Sequence, residues 1–220
     1  TVGQLAGAAR EIGYEYIAVC DHSRSLKMAG GLPIPDLRGK NKAIDSLNRK
    51  LKGFRVLKGA EVDILENGDL DYPDDVLAEL DVVIVAIHSK FNLDEKAQTR
   101  RAIRALASRH AMILAHPTGR LFGQREAYPI NLEEIIKAAR DHGKLLELNG
   151  QPDRLDLSPG PLKQAKESGV AVAINSDAHS VNQLAHYRFF GAATARRGWL
   201  EKADAINALP LDRLLKRLGR

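Results

Sequence analysis

The sequence predicts an α/β fold in which parallel strands curl into a barrel, and three observations lead there. Apolar, β-branched runs alternate with helically spaced segments along the whole chain, as parallel strands joined by crossover helices require. The polar residues able to do chemistry fall at the ends of those runs. His22, Glu61, His88, His116, Asn149, Asp177 and His179 each lie at, or a few residues past, the C-terminal end of a strand. A barrel gathers such ends onto the face where its active sites form, whereas an open sheet spreads them along an edge.

Taken in order, residues 2–12 have helical spacing and stop at Gly13, a natural C-cap. Residues 16–20 form a short apolar run ending at Asp21-His22-Ser23. Residues 37–51 are helical, 55–58 lead into Gly59-Ala60-Glu61, and 62–65 continue extended into the turn at 66–69. Residues 81–87 are mostly β-branched, look buried on both faces, and end at His88. A helix over 94–109 follows, then a strand over 111–115 ending at His116-Pro117. Asn131 caps a helix to Ala139, and 144–148 is a strand ending at Asn149-Gly150. Ser158 caps a helix to Ser168, and 170–174 leads to Asn175-Ser176-Asp177-Ala178-His179. Two further helices are expected near 199–207 and 211–218.

The chain has 220 residues, enough for one large domain with its own core, and no linker-like stretch divides residues 1–220. No apolar run approaches the roughly 18 to 20 residues of a membrane span, so no membrane partner is expected. The single cysteine, Cys20, ends an apolar run and reads as a core thiol in a reducing, cytoplasmic setting. A net charge of +5 is compatible with nucleic acid but does not demand it. The five phenylalanines and five tyrosines are scattered, so no aromatic stacking platform stands out.

Imidazole nitrogen and carboxylate oxygen are the donors of zinc, manganese and iron sites. His22, Glu61, His88, His116, Asp177 and His179 therefore form a candidate metal-ligand set for a cluster able to clamp a phosphoester. Any one histidine could be a hydrogen-bonded structural residue; the argument rests on their co-occurrence. His110 and His142 sit at helix ends, where capping explains them. Ser23 and Ser89 follow histidines, but no nucleophile elbow surrounds either, and no phosphate-binding glycine loop is present. Residues 25–35 read as a mobile loop over the barrel mouth. Arg120, Arg125 and Arg154 lie on loops after strands and could hold phosphate through bidentate donation, or pair locally, Arg154 with Asp156 for instance.

With these segments in view, the chain resembles the PHP (polymerase and histidinol phosphatase) family, and most closely the PHP domain at the C-terminus of bacterial and archaeal family X DNA polymerases. The matching stretches are Asp21-His22-Ser23, Lys58-Gly59-Ala60-Glu61-Val62-Asp63-Ile64-Leu65, Ile87-His88-Ser89 and Ala115-His116-Pro117-Thr118-Gly119-Arg120. Leu146-Glu147-Leu148-Asn149, Arg154-Leu155-Asp156-Leu157, Ser176-Asp177-Ala178-His179 and Ala195-Arg196-Arg197-Gly198-Trp199-Leu200 complete them. The resemblance implies a distorted (β/α)7 TIM-like barrel and a metal-dependent phosphoesterase holding two to three divalent ions (manganese, zinc or iron). Carried over by motif, Glu61 would bridge two metals, His88 and His116 would complete the second site, Asp177 would serve the first, and His22 and His179 the third. Glu61, His88, Asp177 and His179 would carry catalysis, with Asn149, Arg120 and Arg154 contacting substrate.

The family opens with a His-x-His motif and then Ser-Asp-Gly on its first strand, and this sequence starts at Thr1, where the first motif would have ended. The resemblance thus implies a barrel short of its first strand and of some ligands, with fewer metals held unless these are supplied. The activity implied is 3′-5′ exonuclease or 3′-end processing of DNA in repair. The partners implied are single-stranded DNA or 3′ ends and the polymerase domains of the same parent chain, with no polymerisation by these residues. A small-molecule phosphatase of the histidinol phosphate kind, or a catalytically impaired structural or DNA-docking module, are the competing expectations.

Overall fold

The computed structural model describes all residues 1–220. Its six strands, β1 (Tyr16–His22), β2 (Arg55–Asp63), β3 (Val82–Ala86), β4 (Ile113–Leu114), β5 (Leu145–Asn149) and β6 (Val172–Asn175), form one sheet in that order. Every neighbouring pair is parallel. A doubly wound sheet reverses its strand order at a switch point; here each crossover advances one step in the same direction, so the sheet curls as a barrel wall does. β1 and β6 do not pair, and the wall stays open between them.

Helices cover the outside: α1 (Val2–Glu11), α2 (Ile34–Asn48), α3 (Asp74–Ala78), α4 (Glu95–Leu106), α5 (Leu132–Asp141), α6 (Pro159–Glu167), α7 (Ala192–Arg197) and α8 (Leu211–Arg217). Their starts follow local chemistry. Thr1 and Gln4 make a reciprocal capping box on α1, while Asp94 and Asn131 accept backbone N–H groups at the starts of α4 and α5. β2, β3 and β5 are buried on both faces and feed a core that runs from Leu57 and Val62 through Val83, Leu114 and Leu146 to Val172. A smaller cluster, with Ala6, Ala9, Ile44 and Val56, seats α1 and α2 on the outside of the wall.

Three expectations about elements need correction. The two runs around Gly59-Ala60-Glu61 are a single strand, β2, whose Gly59 lies so close to Cys20 that an added Cβ would collide with the Cys20 thiol. The segment near 199–207 is not a helix. Trp199 is left-handed (φ 62°), and the Asp204 carbonyl accepts from Val172 N, laying this stretch along the free edge of β6 until a short 3-10 turn, Ile206–Ala208. Helical structure was also missed at α3 and at a π-helical turn, Tyr187–Gly191, that runs into α7. Gly150 makes the second possible: a Cβ there would press on Asn175 O and the Tyr187 backbone, so the turn packs directly over the ends of β5 and β6. Cys20 is only half-buried and lines the interior cavity, yet burial of its thiol pushes its pKa up to about 12, in keeping with an inert residue.

Candidate metal centre

The strand register explains the site. His22, last in β1, stands opposite Glu61 in β2, and His88 and His116 follow the ends of β3 and β4 by two residues. All three imidazoles reach the same carboxylate. His116 Nε2 lies 2.9 Å and His88 Nε2 3.2 Å from Glu61 Oε1, and His22 Nδ1 lies 3.5 Å from Oε2. The His22 and His88 rings are 5.0 Å apart and those of His88 and His116 5.2 Å. One donor atom from each of His22, Glu61 and His88 falls within 4.8 Å of the others.

Asp63 turns His88 toward this cluster. Its Oδ1 meets His88 Nδ1 at 2.5 Å, which keeps a proton on Nδ1 and leaves Nε2 as the nitrogen turned to Glu61. Asp63 is itself pinned, its second oxygen by the Ser25 hydroxyl and its backbone N–H by the Ser23 hydroxyl at 2.9 Å. Arg101, almost fully buried, donates to the carbonyls of Ile64, Leu65 and Ser89 and ties the ends of β2 and β3 together beneath Asp63 and His88.

The second half of the site grows from β5 and β6. Asn149 Nδ2 donates to Asp177 Oδ2 at 2.9 Å, and Arg154 Nε lies 3.4 Å from the same oxygen, so Arg154 pairs with Asp177 and not with Asp156. Asp156 instead accepts from the backbone of Thr118 and Gly119 and from the Thr118 hydroxyl, anchoring the loop after His116. His179 is exposed, with Nδ1 donating to the Asp177 carbonyl at 2.9 Å and its ring 6.5 Å from that of His22. Arg120 spends Nε and one terminal nitrogen on the carbonyls of Arg154 and Leu155, and Arg125 donates to the Gly119 carbonyl while stacking over Phe91. His110 is buried beside Arg109 four residues past the end of α4, so helix capping does not explain it; His142 does cap α5.

Glu147 was matched only as part of a motif and given no role, yet it lies under both halves. It accepts from His116 N at 2.7 Å, from Asn175 Nδ2 at 2.7 Å and from Asn149 Nδ2 at 3.3 Å. A carboxylate in the middle of a strand buried at every position, Leu145–Asn149, is the sequence signal that could have marked it. Gln151 and His186 extend the network outward: Gln151 donates to the Asp177 carbonyl and meets His186 Nδ1 at 3.0 Å.

Charge follows from this packing. Burial alone would raise Glu61, but hydrogen bonds from His116 and His88 hold it well below the usual carboxylate range. Burial alone would lower His88, but the Asp63 and Glu61 carboxylates drive it up to about 9. Burial lowers His22, against the pull of Glu61. Burial pushes Glu147 up to about 7, against the pull of His116. No lysine or arginine pairs with Glu61, and the buried Nδ1 atoms of His22 and His116 have no hydrogen-bond partner. The orphaned Nδ1 of His22 faces an ionised carboxylate that His88 and His116 also meet, and this donor set fits a divalent ion well.

Asp63→Asn follows as an expected loss of metal. The ring of His88 would no longer be fixed in its ligating tautomer, and metal affinity should fall about 10- to 100-fold. In the unsubstituted chain a metal must displace the His88 proton, so affinity should climb with pH until about 9. The same proton stabilises the metal-free fold below about 6.5, a contribution lost as pH rises through about 9. Titration with zinc or manganese across that range checks both; equal affinity of the two proteins would refute the orienting role of Asp63.

No family model matches the chain. It is 46% identical over 211 residues to the DNA polymerase/3′-5′ exonuclease PolX of Bacillus subtilis (strain 168), covering 96% of this chain and 37% of that protein's length. It is 32% identical over 192 residues to the probable phosphatase Teth514_1060 of Thermoanaerobacter sp. (strain X514), covering 81% of this chain and 72% of that one. Among solved structures, histidinol phosphate phosphatase from Lactococcus lactis, determined with zinc, L-histidinol and phosphate, matches 91% of this chain and 88% of its own. The TM-score is 0.58 at 15% identity, a likeness of fold alone. The solved neighbour shares the curled parallel architecture, and the sequence relatives set the family. The chain belongs to the PHP family.

Proposed function

We propose that the chain hydrolyses phosphodiester bonds at DNA 3′ ends, as the 3′-5′ exonuclease or end-processing part of a longer family X DNA polymerase whose polymerase domains are its partners. The observation that carries this reading is the meeting of His22, His88 and His116 on the single carboxylate of Glu61. The preference for DNA over a small phosphate is supported by the higher identity to PolX than to the probable phosphatase.

In this reading Glu61, held ionised by its imidazole neighbours, would hold metal together with His88, His116 and Asp177, and His22 and His179 would hold a further ion. Bound manganese, zinc or iron would polarise a phosphoryl oxygen and acidify water near neutral pH. The chain's own residues do the rest. His179 keeps its proton on Nδ1, so Nε2 is free to act as ligand or base. Asn149 and Arg154 hold Asp177 in place, and the Nη1 of Arg154 is buried beside it with no partner of its own. Arg120 shapes the 151–155 loop that carries Arg154.

We also propose that the closed form is a seven-stranded barrel within a single domain. A cavity of about 830 Å³ is lined by β1, by the end of β6 and by residues 206–210. It opens where β1 and β6 fail to pair, and one more strand seated there would pair with the free edge of β1, the facing groups of β6 being met by Asp204 and Asn207.

A single-stranded oligonucleotide labelled at its 5′ end tests the function. Manganese should produce shortening from the 3′ end, abolished by chelation. Cleavage of p-nitrophenyl phosphate with the oligonucleotide left intact would move the substrate to small phosphomonoesters.

A further inference from the structure

We infer that Phe122 and Phe190, with Phe189, form a stacking platform for the unpaired bases of the strand whose end enters the metal centre. The inference rests on the DNA reading above and adds the surface that grips the bases. Scattered in sequence, these side chains are gathered by the fold. The chain exposes six large hydrophobic residues, and only Trp199 lies away from the loops that follow the strands' C-terminal ends. Met28 follows β1, Phe122 follows β4, and Val181, Phe189 and Phe190 follow β6. Exposed apolar surface is thus concentrated on the face that holds the site, as on a surface that receives a ligand.

Contacts tie the phenylalanines to the centre. From Asp177 the network passes to Gln151 and His186, whose ring meets Phe190 edge-on at 5.6 Å. On the other side of the same loop, Phe122 N donates to the Asp153 carbonyl at 2.7 Å. Arg154, paired with Asp177, lies on that loop between them. Phe122 is 51% and Phe190 39% exposed, each large enough to offer a ring surface. The Arg120 guanidinium covers one face of Phe122 at 4.9 Å, leaving the other for a base and placing a cation where the backbone phosphates would run. Alternating aromatic faces and guanidiniums is how proteins hold single strands without reading sequence. A protein partner seated on these loops would cover the site it surrounds, which favours a strand threading past them.

The test is binding of two fluorescent 12-mers, oligo(dT) and an abasic strand of the same length and charge, to the chain and to a Phe122→Ala/Phe190→Leu variant. Leucine at 190 preserves packing against His186 while removing the ring. The chain is expected to prefer oligo(dT), and the variant to bind it at least about 5-fold more weakly, since one stacked base is worth roughly 1–3 kcal/mol. The variant should hold the abasic strand as the chain does, which also shows that it is folded. Equal affinity of the chain for both strands, or a variant that binds oligo(dT) unimpaired, overturns the platform and leaves a protein partner for the exposed rings. Absence of binding to either strand overturns the DNA reading with it.

Discussion

Glu61→Gln is expected to strip the centre of metal and to lower phosphodiester hydrolysis by about 10³-fold, on the order of 4 kcal/mol in the barrier. The substitution changes little in volume. Its effect is electrostatic: Glu61 is the only carboxylate facing His22, His88 and His116 together, at 2.9 to 3.5 Å. An amide offers one neutral oxygen, and its NH₂ would point at the imidazole nitrogens that need to stay free. With the anion gone, part of what holds the His88 proton goes too, so the metal-free variant should bind fewer protons near pH 8 than the unsubstituted chain. Metal content after dialysis and the rate on a labelled oligonucleotide are the readouts. Retention of the full metal complement by Glu61→Gln would remove Glu61 from the ligand set.

Much of this site was legible because parallel strands deliver their ends to one face. His88 and His116 could be placed by finding where a β-branched run stopped, and the structure puts both on Glu61. What stayed hidden was support from within strands. Asp63 shares β2 with Glu61, and Glu147 is the lone acid of β5; apolar periodicity has no way to say whether such a residue meets a partner. Arg101 was concealed by an ordinary helical sequence, although it is buried against carbonyls from two strand ends. The segment at 199–207 misled because its spacing is helical while its backbone groups are claimed by the free edge of β6, a tertiary competition that local propensity does not contain. The exposed phenylalanines lie far apart in sequence, and only the convergence of two loops makes them neighbours of one site.

Glu147→Ala is expected to be the most destabilising of these changes, by about 3–5 kcal/mol in urea unfolding, although Glu147 touches no candidate metal atom. It is 3% exposed, and its loss would orphan His116 N–H and one donor of Asn175 while opening a cavity under the site. His116 is held at φ 25°, a conformation that a non-glycine residue adopts only when its surroundings enforce it, and the Glu147 hydrogen bond is part of that enforcement. The effect should depend on pH in a defined direction. Because burial raises the folded-state pKa of Glu147 from 4.5 to about 7, its contribution to stability is complete below about 4.5 and is lost as pH rises through about 7. The gap between the unsubstituted chain and Glu147→Ala should therefore narrow from pH 5 to pH 8. Glu147→Gln keeps the volume and can still accept from His116 N, so it should cost only about 1 kcal/mol and show no such narrowing. A gap between the unsubstituted chain and Glu147→Ala that widens with pH would show that the carboxylate is stabilised as an anion, and that the donors around it outweigh its burial.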